Sequence, residues 1–211
     1  GKKYVGLCAR FLCNYARCKE DFDLKNCDKT TKTGINNIIK SILQIGPNKW
    51  GIMNNDGKII EPKDLNIKKT WNFLNGKIAS GTFIKILDIY KILQEPPFGY
   101  DDLTFTLFIS SWIGFYQNDL DISSLNGKID IDKFSEGFEG LAFISKIQKE
   151  NISIKKSDKE AFIKEFELVK TQLKNDIINP EDIEKVLIKI DELINDKRCS
   201  KEQYDKLIFM K

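Results

Sequence analysis

Apolar residues recur at helical spacing near the start of the chain, at Tyr4, Val5, Leu7, Cys8, Phe11, Leu12 and Tyr15. Arg10, Asn14 and Arg17 fill the polar side, so the pattern predicts an amphipathic helix from Tyr4 to about Cys18. A polar connector follows to about Thr30. From Thr33 and Gly34 the run INNIIKSILQI sets Ile35, Ile38, Ile39, Ile42 and Leu43 on one face, and Gly46-Pro47 ends that second helix. The segment NKWGIMNNDGKIIEP then predicts two short strands, Trp50–Met53 and Lys58–Ile60, around the turn Asn54-Asn55-Asp56-Gly57.

Helix, helix, hairpin is the order of a winged-helix unit, and the order recurs. Residues 80–94 are amphipathic through Phe83, Ile84, Leu87, Tyr90 and Leu93. Pro96-Pro97 stops that helix, because proline lacks the amide donor and clashes with the preceding turn. Phe98-Gly99-Tyr100 turns the chain, with Phe98 expected to plug the core and Gly99 to permit the turn. Asp101 and Asp102 suit the start of the next helix, LTFTLFISSWIGFY, which is apolar nearly all round and is expected to be the most buried element. LDISSLNGKIDI alternates and turns at Asn126-Gly127, a strong hairpin signal. No repeat at a fixed period accompanies this recurrence of elements.

Beyond residue 150 the pattern is helical and more charged. Phe162, Phe166, Val169 and Leu173 form one stripe; Ile183, Val186, Leu187, Ile190 and Ile194 form another. Asn179-Pro180-Glu181-Asp182 has the cap, first-position proline and acids of a helix start, and a short third helix is expected over Lys201–Phe209. The fold class expected is therefore mainly α with small β-hairpins (α+β). Its parts are a basic winged-helix-like unit over 1–75, a second such unit over 76–150, and a charged helical bundle over 151–211.

Composition changes this picture in two ways. The 211 residues hold no histidine, which excludes a Ser-His-Asp triad, a Cys-His dyad or a His-ligated metal within the chain. Lys outnumbers Arg 31 to 3, and Ile reaches 31 and Asn 16, a bias that fits an AT-rich genome. No apolar run of membrane-spanning length is present, and no secretory signal opens the chain; with an odd number of cysteines this favours a reducing, cytoplasmic setting. The leading Gly fits a fragment excised from a longer protein.

The chemistry-bearing residues argue mostly against catalysis. KTTKTG, from Lys29 to Gly34, has residue types of a phosphate loop in the wrong order, since a P-loop places its glycines before the Lys-Ser/Thr pair. Carboxylates cluster at Asp101/Asp102, Asp119/Asp121 and Asp130/Asp132; on a strand, Asp130 and Asp132 would share a face, so a carboxylate-dependent metal enzyme of nuclease type over Asp119–Asp132 is the alternative reading. Cys8, Cys13, Cys18 and Cys27 invite a zinc-stapled scaffold, but the spacing lacks a C-x2-C knuckle. Steps of five on a helix turn by about 140°, so burial as small core residues is the simpler expectation. No cofactor and no small-molecule substrate are expected.

Charge is unevenly spread. Residues 1–100 hold 17 basic and 9 acidic groups, residues 101–150 hold 4 and 9, and residues 151–211 hold 13 of each. Any polyanion contact therefore belongs in the first hundred residues. The candidates are Lys32, Asn36, Asn37, Lys40 and Gln44 beside the apolar stripe of the second helix, with Lys49, Asn55 and Lys58 around the hairpin. Duplex DNA and a protein surface are the two partners such a unit would dock.

Residues Leu87–Trp112, with LQEPPFGYDDLTFTLFISSW at their centre, resemble an accessory stretch in the large P-loop ATPases of bacterial phage-defence systems of the BREX type. Pro96, Pro97, Phe98 and Gly99 carry the likeness, which is centred on residues 87–131, with the Asn126-Gly127 hairpin placed as a wing would be. The chain has neither a Walker A nor a Walker B sequence, so the resemblance implies an accessory winged-helix or helical region and carries over no catalytic residue. It implies a non-enzymatic adaptor in a defence or DNA-transaction assembly, partnered by another protein or by the remainder of a larger ATPase chain.

Overall fold

The computed structural model describes residues 2–14, 27–78, 81–141, 143–174, 180–196 and 199–210. They form two compact units, Gly1–Lys156 and Ser157–Lys211. Cys18, Asn179 and the end of the first expected helix, with Tyr15 and Arg17, lie outside the described residues.

In the larger unit, α1 (Lys2–Cys13) packs against α5 (Asp102–Phe115), against α2 (Lys29–Ile38) and against the 3-10 turn Glu136–Leu141. The helices approach closely where glycine allows it: a Cβ on Gly34 of α2 would meet the Tyr4 ring of α1 at 2.5–2.7 Å. α5 is buried at every residue from Phe105 to Gly114, as its all-round apolar sequence demands. Its N-cap Asp101 accepts from the Thr104 backbone N–H at 2.8 Å.

The second helix begins earlier than the apolar run suggests. Asp28 caps it, accepting from the Thr30 and Thr31 amides at 2.9 Å each, so Lys29 and Thr30, expected in the connector, are already helix. Beyond Ile38 it continues as a π-turn over Ile39–Leu43, closed by the Gln44 N–H on the Ile39 carbonyl at 2.9 Å. The expected strands Trp50–Met53 and Lys58–Ile60 are reduced to isolated bridges, Gln44 to Met53 and Met53 to Ile59. Gly51, at φ +63°, breaks the extended run, and the Leu43 carbonyl takes both the Ile52 and Met53 amides. α3 (Leu65–Lys77) follows, capped by Asp64 and buried through Ile67, Thr70, Trp71 and Leu74.

A four-stranded antiparallel sheet runs in the order β1 (Ile84–Lys85), β4 (Ser153–Lys156), β2 (Leu120–Ser124), β3 (Gly127–Ile129). The β2–β3 hairpin turns at Leu125-Asn126, with Gly127 at φ +105° and Ile122 opposite Ile129. β1 takes the first residues of the helix expected from 80, so α4 spans only Ile86–Gln94. Ile84 pairs with Ile154 and Leu120 with Lys156, so the last strand is the one that joins the hairpin to β1. α6 (Ile131–Ser135) and α7 (Phe143–Lys149) bridge β3 to β4. One core runs from Val5 to Ile154, and residues 1–75 and 76–150 share it.

The smaller unit consists of α8 (Lys159–Lys174), α9 (Pro180–Ile194) and α10 (Lys201–Met210) around Phe162, Phe166, Val169, Val186, Ile190, Leu193 and Leu207. Ile183, expected in the α9 stripe, is instead exposed. Lys189 reaches from α9 to Glu165 of α8 at 3.3 Å.

Candidate nucleic-acid interface

The helical stretch 29–43 is two-faced because its apolar residues fall on one side. Thr31, Ile35, Ile39 and Leu43 are buried, whereas Lys29, Lys32, Thr33, Asn37, Lys40 and Ser41 are exposed and Asn36 is half-buried. At 100° per residue, Lys29, Thr33, Asn36, Asn37 and Lys40 share an arc of about 100°. Among the described residues, the acid at this end, Asp28, is spent on the cap: the Thr31 hydroxyl and the Thr31 and Thr30 amides hold its carboxyl below the usual carboxylate range.

The structure brings five of the sequence-predicted residues, Lys32, Asn36, Asn37, Lys40 and Gln44, onto this one stretch and its immediate end. Lys49 is half-buried, its stem folded beside Gly46. Asn55 and Lys58 are exposed at the 54–57 turn, which Asn54 locks by accepting from the amides of Asp56 at 3.1 Å and Lys58 at 2.8 Å. The stem of that turn, Met53 and Ile59, is tied to the helix end through Gln44. Among the described residues, none of these eight side chains has a hydrogen-bond or ion-pair partner.

Sequence reasoning passed over α3, whose exposed face adds Lys68, Lys69, Asn72 and Lys77 to the basic half. The signal was present: Asp64 as cap, then apolar residues at 67, 71 and 74, three or four apart.

The other predicted sites fall elsewhere. Pro96 and Pro97, joined by a cis peptide bond, are exposed at the end of α4. Phe98 lies against Phe73 with ring centroids 5.3 Å apart, partly buried at the edge of the core, and Gly99 takes φ +65°. The corner is closed by the Tyr100 amide on the Leu93 carbonyl at 2.8 Å, and of the four residues Phe98 is the one that packs against the core. Asp130 and Asp132 do not share a strand, because β3 ends at Ile129. Asp130 caps α6 by accepting from the Lys133 amide at 2.8 Å, and Asp132 lies within that helix. Asp119 ends a 3-10 turn and Asp121 stands on β2 opposite Lys155.

Cys8 and Cys13 are buried in the core and Cys27 is half-buried against it. Burial pushes the Cys8 thiol up to about 12, the wrong direction for a metal ligand, which must be a thiolate. Among the described residues no three Cys, Asp or Glu side chains gather where they could hold an ion.

Comparison with protein-family models, curated proteins and solved structures gave no match. No helix among the described residues is long and apolar enough to cross a membrane. The functional reading therefore stands on the geometry above.

Proposed function

We propose that the chain is a non-enzymatic accessory domain whose residues 29–58 dock duplex DNA. The observation that carries this reading is the strip of exposed Lys and Asn side chains on the 29–43 helix, unpaired with any acid among the described residues, while the adjoining Asp28 is engaged in a cap. Unpaired ammonium groups release counterions from a phosphate backbone at no cost in broken ion pairs. In the winged-helix reading, the 29–43 helix supplies the recognition element and the Asn54–Gly57 turn supplies the wing. In this reading, which the resemblance at Pro96–Gly99 motivates, the domain works in a bacterial defence or DNA-transaction assembly, beside a protein partner or the rest of a larger ATPase chain.

Fluorescence anisotropy with a short labelled duplex tests the reading. Binding is expected at low salt, with log K falling against log salt at a slope of about −4 if four or five lysines each neutralise a phosphate. Lys40→Glu together with Lys58→Glu should weaken binding severalfold. Undetectable binding at low salt, or binding indifferent to salt, removes the proposal.

A further inference from the structure

We infer that Asn37 reads adenine in the major groove, with Lys29 and Lys40 holding the phosphates on either side. The inference rests on the docking reading above and names what the docked face recognises. Three hydroxyl residues are exposed along the helix; Thr30 lies in its first turn, outside the arc of Lys29, Thr33, Asn36, Asn37 and Lys40, and the other two are turned back onto the helix. Thr33 Oγ1 donates to the Lys29 carbonyl at 2.8 Å and Ser41 Oγ donates to the Asn37 carbonyl at 2.5 Å. On the exposed arc this leaves the carboxamides of Asn36 and Asn37 as the uncharged side chains with hydrogen-bonding capacity unspent. Asn37 is the more exposed of the two.

Spacing sets the roles. Lys29 and Lys40 are eleven residues apart, about 16 Å along the helix. A major groove is about 12 Å wide, so ammonium groups at the two ends reach its phosphate walls while the middle of the helix faces base edges. A carboxamide offers one donor and one acceptor side by side. Adenine presents the complement, the N7 acceptor and the N6 donor, whereas guanine presents two acceptors at N7 and O6. Arginine, the usual reader of guanine, is absent from this face among the described residues.

The test compares two labelled duplexes of about 16 base pairs, one alternating A·T and one alternating G·C, with a third A·T duplex carrying 7-deaza-adenine. The protein should prefer A·T by about tenfold, within the range one bidentate contact provides. Removing N7 or changing Asn37→Ala should bring A·T to the G·C level and leave the salt slope unchanged. Equal affinity for the two duplexes, with salt-dependent binding intact, overturns the inference alone. So does a preference that survives both Asn37→Ala and 7-deaza-adenine, which would mark shape readout. Absence of any duplex binding at low salt overturns the docking reading along with it. Asn37 is exposed and makes no side-chain contact that folding needs, so its alanine variant tests recognition and not stability.

Discussion

Gly114 of α5 sits directly on the Leu12 carbonyl of α1, and a Cβ at that position would overlap the oxygen. The obstructing atom is backbone inside a helix, so a rotamer change cannot relieve it. Gly114→Ala should therefore separate the two helices at the centre of the core and cost about 1–3 kcal/mol. Gly76 of α3 is the internal control, since a Cβ there meets nothing within 4 Å. Gly76→Ala should be neutral or stabilising by up to about 1 kcal/mol, through helix propensity. Urea midpoints of the two variants measure the contrast. Equal stability of Gly114→Ala and the parent would mean that α1 and α5 do not cross as described.

Asp101 ties the corner after Pro96-Pro97 to the start of α5. Its hydrogen bonds to the Thr104 side chain and amide hold its carboxyl below the ordinary carboxylate range. A lowered folded pKa means that the stabilisation is complete above the unfolded value, about 3.9, and fades as pH falls through the folded one. Asp101→Ala should cost about 1 kcal/mol at neutral pH. Asp101→Asn keeps the cap without the titration, so its stability should fall less steeply below pH 4. Parallel acid unfolding curves for parent and Asn variant would count against the cap as the source.

Tyr90 on α4 donates to the Asp102 carboxylate on α5, while Gln94 Nε2 donates to the phenol oxygen at 2.7 Å. Burial, then the hydrogen bond to Asp102 and its charge, push the phenol up to about 12. Here the folded pKa is raised, so the stabilisation is complete below the unfolded value of about 10 and is lost as pH rises from there through 12. Tyr90→Phe should lose about 1 kcal/mol at pH 7 and show a shallower decline above pH 10. Phenolate absorbance during alkaline titration should include a tyrosine that ionises late in the parent and is absent from the variant.

Where one periodicity met one environment, sequence and structure agree. The all-round apolar run gave α5, and the stripes at 162–169 and 186–190 gave the paired helices α8 and α9. Asn126-Gly127 marked its hairpin to within one residue: the turn is Leu125-Asn126, and Gly127, at φ +105°, opens β3. The failures are non-local. Ser153–Lys156 is too short to announce itself and is a strand because Ile122 and Ile84 flank Ile154 from distant parts of the chain. Asp130 looked like a strand residue until its cap to Lys133 showed the helix that follows. For the candidate interface, Lys32, Asn36, Asn37 and Lys40 were legible as the polar side of an apolar stripe. That Asp28 is consumed by a cap, and that Thr33 and Ser41 are bonded inward, depends on hydrogen bonds that no spacing rule reveals.

Cys8 offers a further check on the core. Its side chain is fully buried between α1 and its neighbours, and desolvation raises the thiol to about 12. Alkylation requires the thiolate, and at pH 8 a thiol with that pKa is ionised to about one part in ten thousand. Access is denied as well, so in the native protein Cys8 should resist iodoacetamide while the half-buried Cys27 is modified. Adding urea should expose Cys8 in step with global unfolding, because it has no route to solvent short of moving α1 off α5. Peptide mapping by mass spectrometry after timed alkylation reads both rates. The same measurement with added zinc separates burial from ligation: a zinc-bound thiolate would be protected only while the metal is present, whereas a buried one is protected with or without it. Protection of Cys8 that disappears on chelation would replace the packed core at α1 with a metal site.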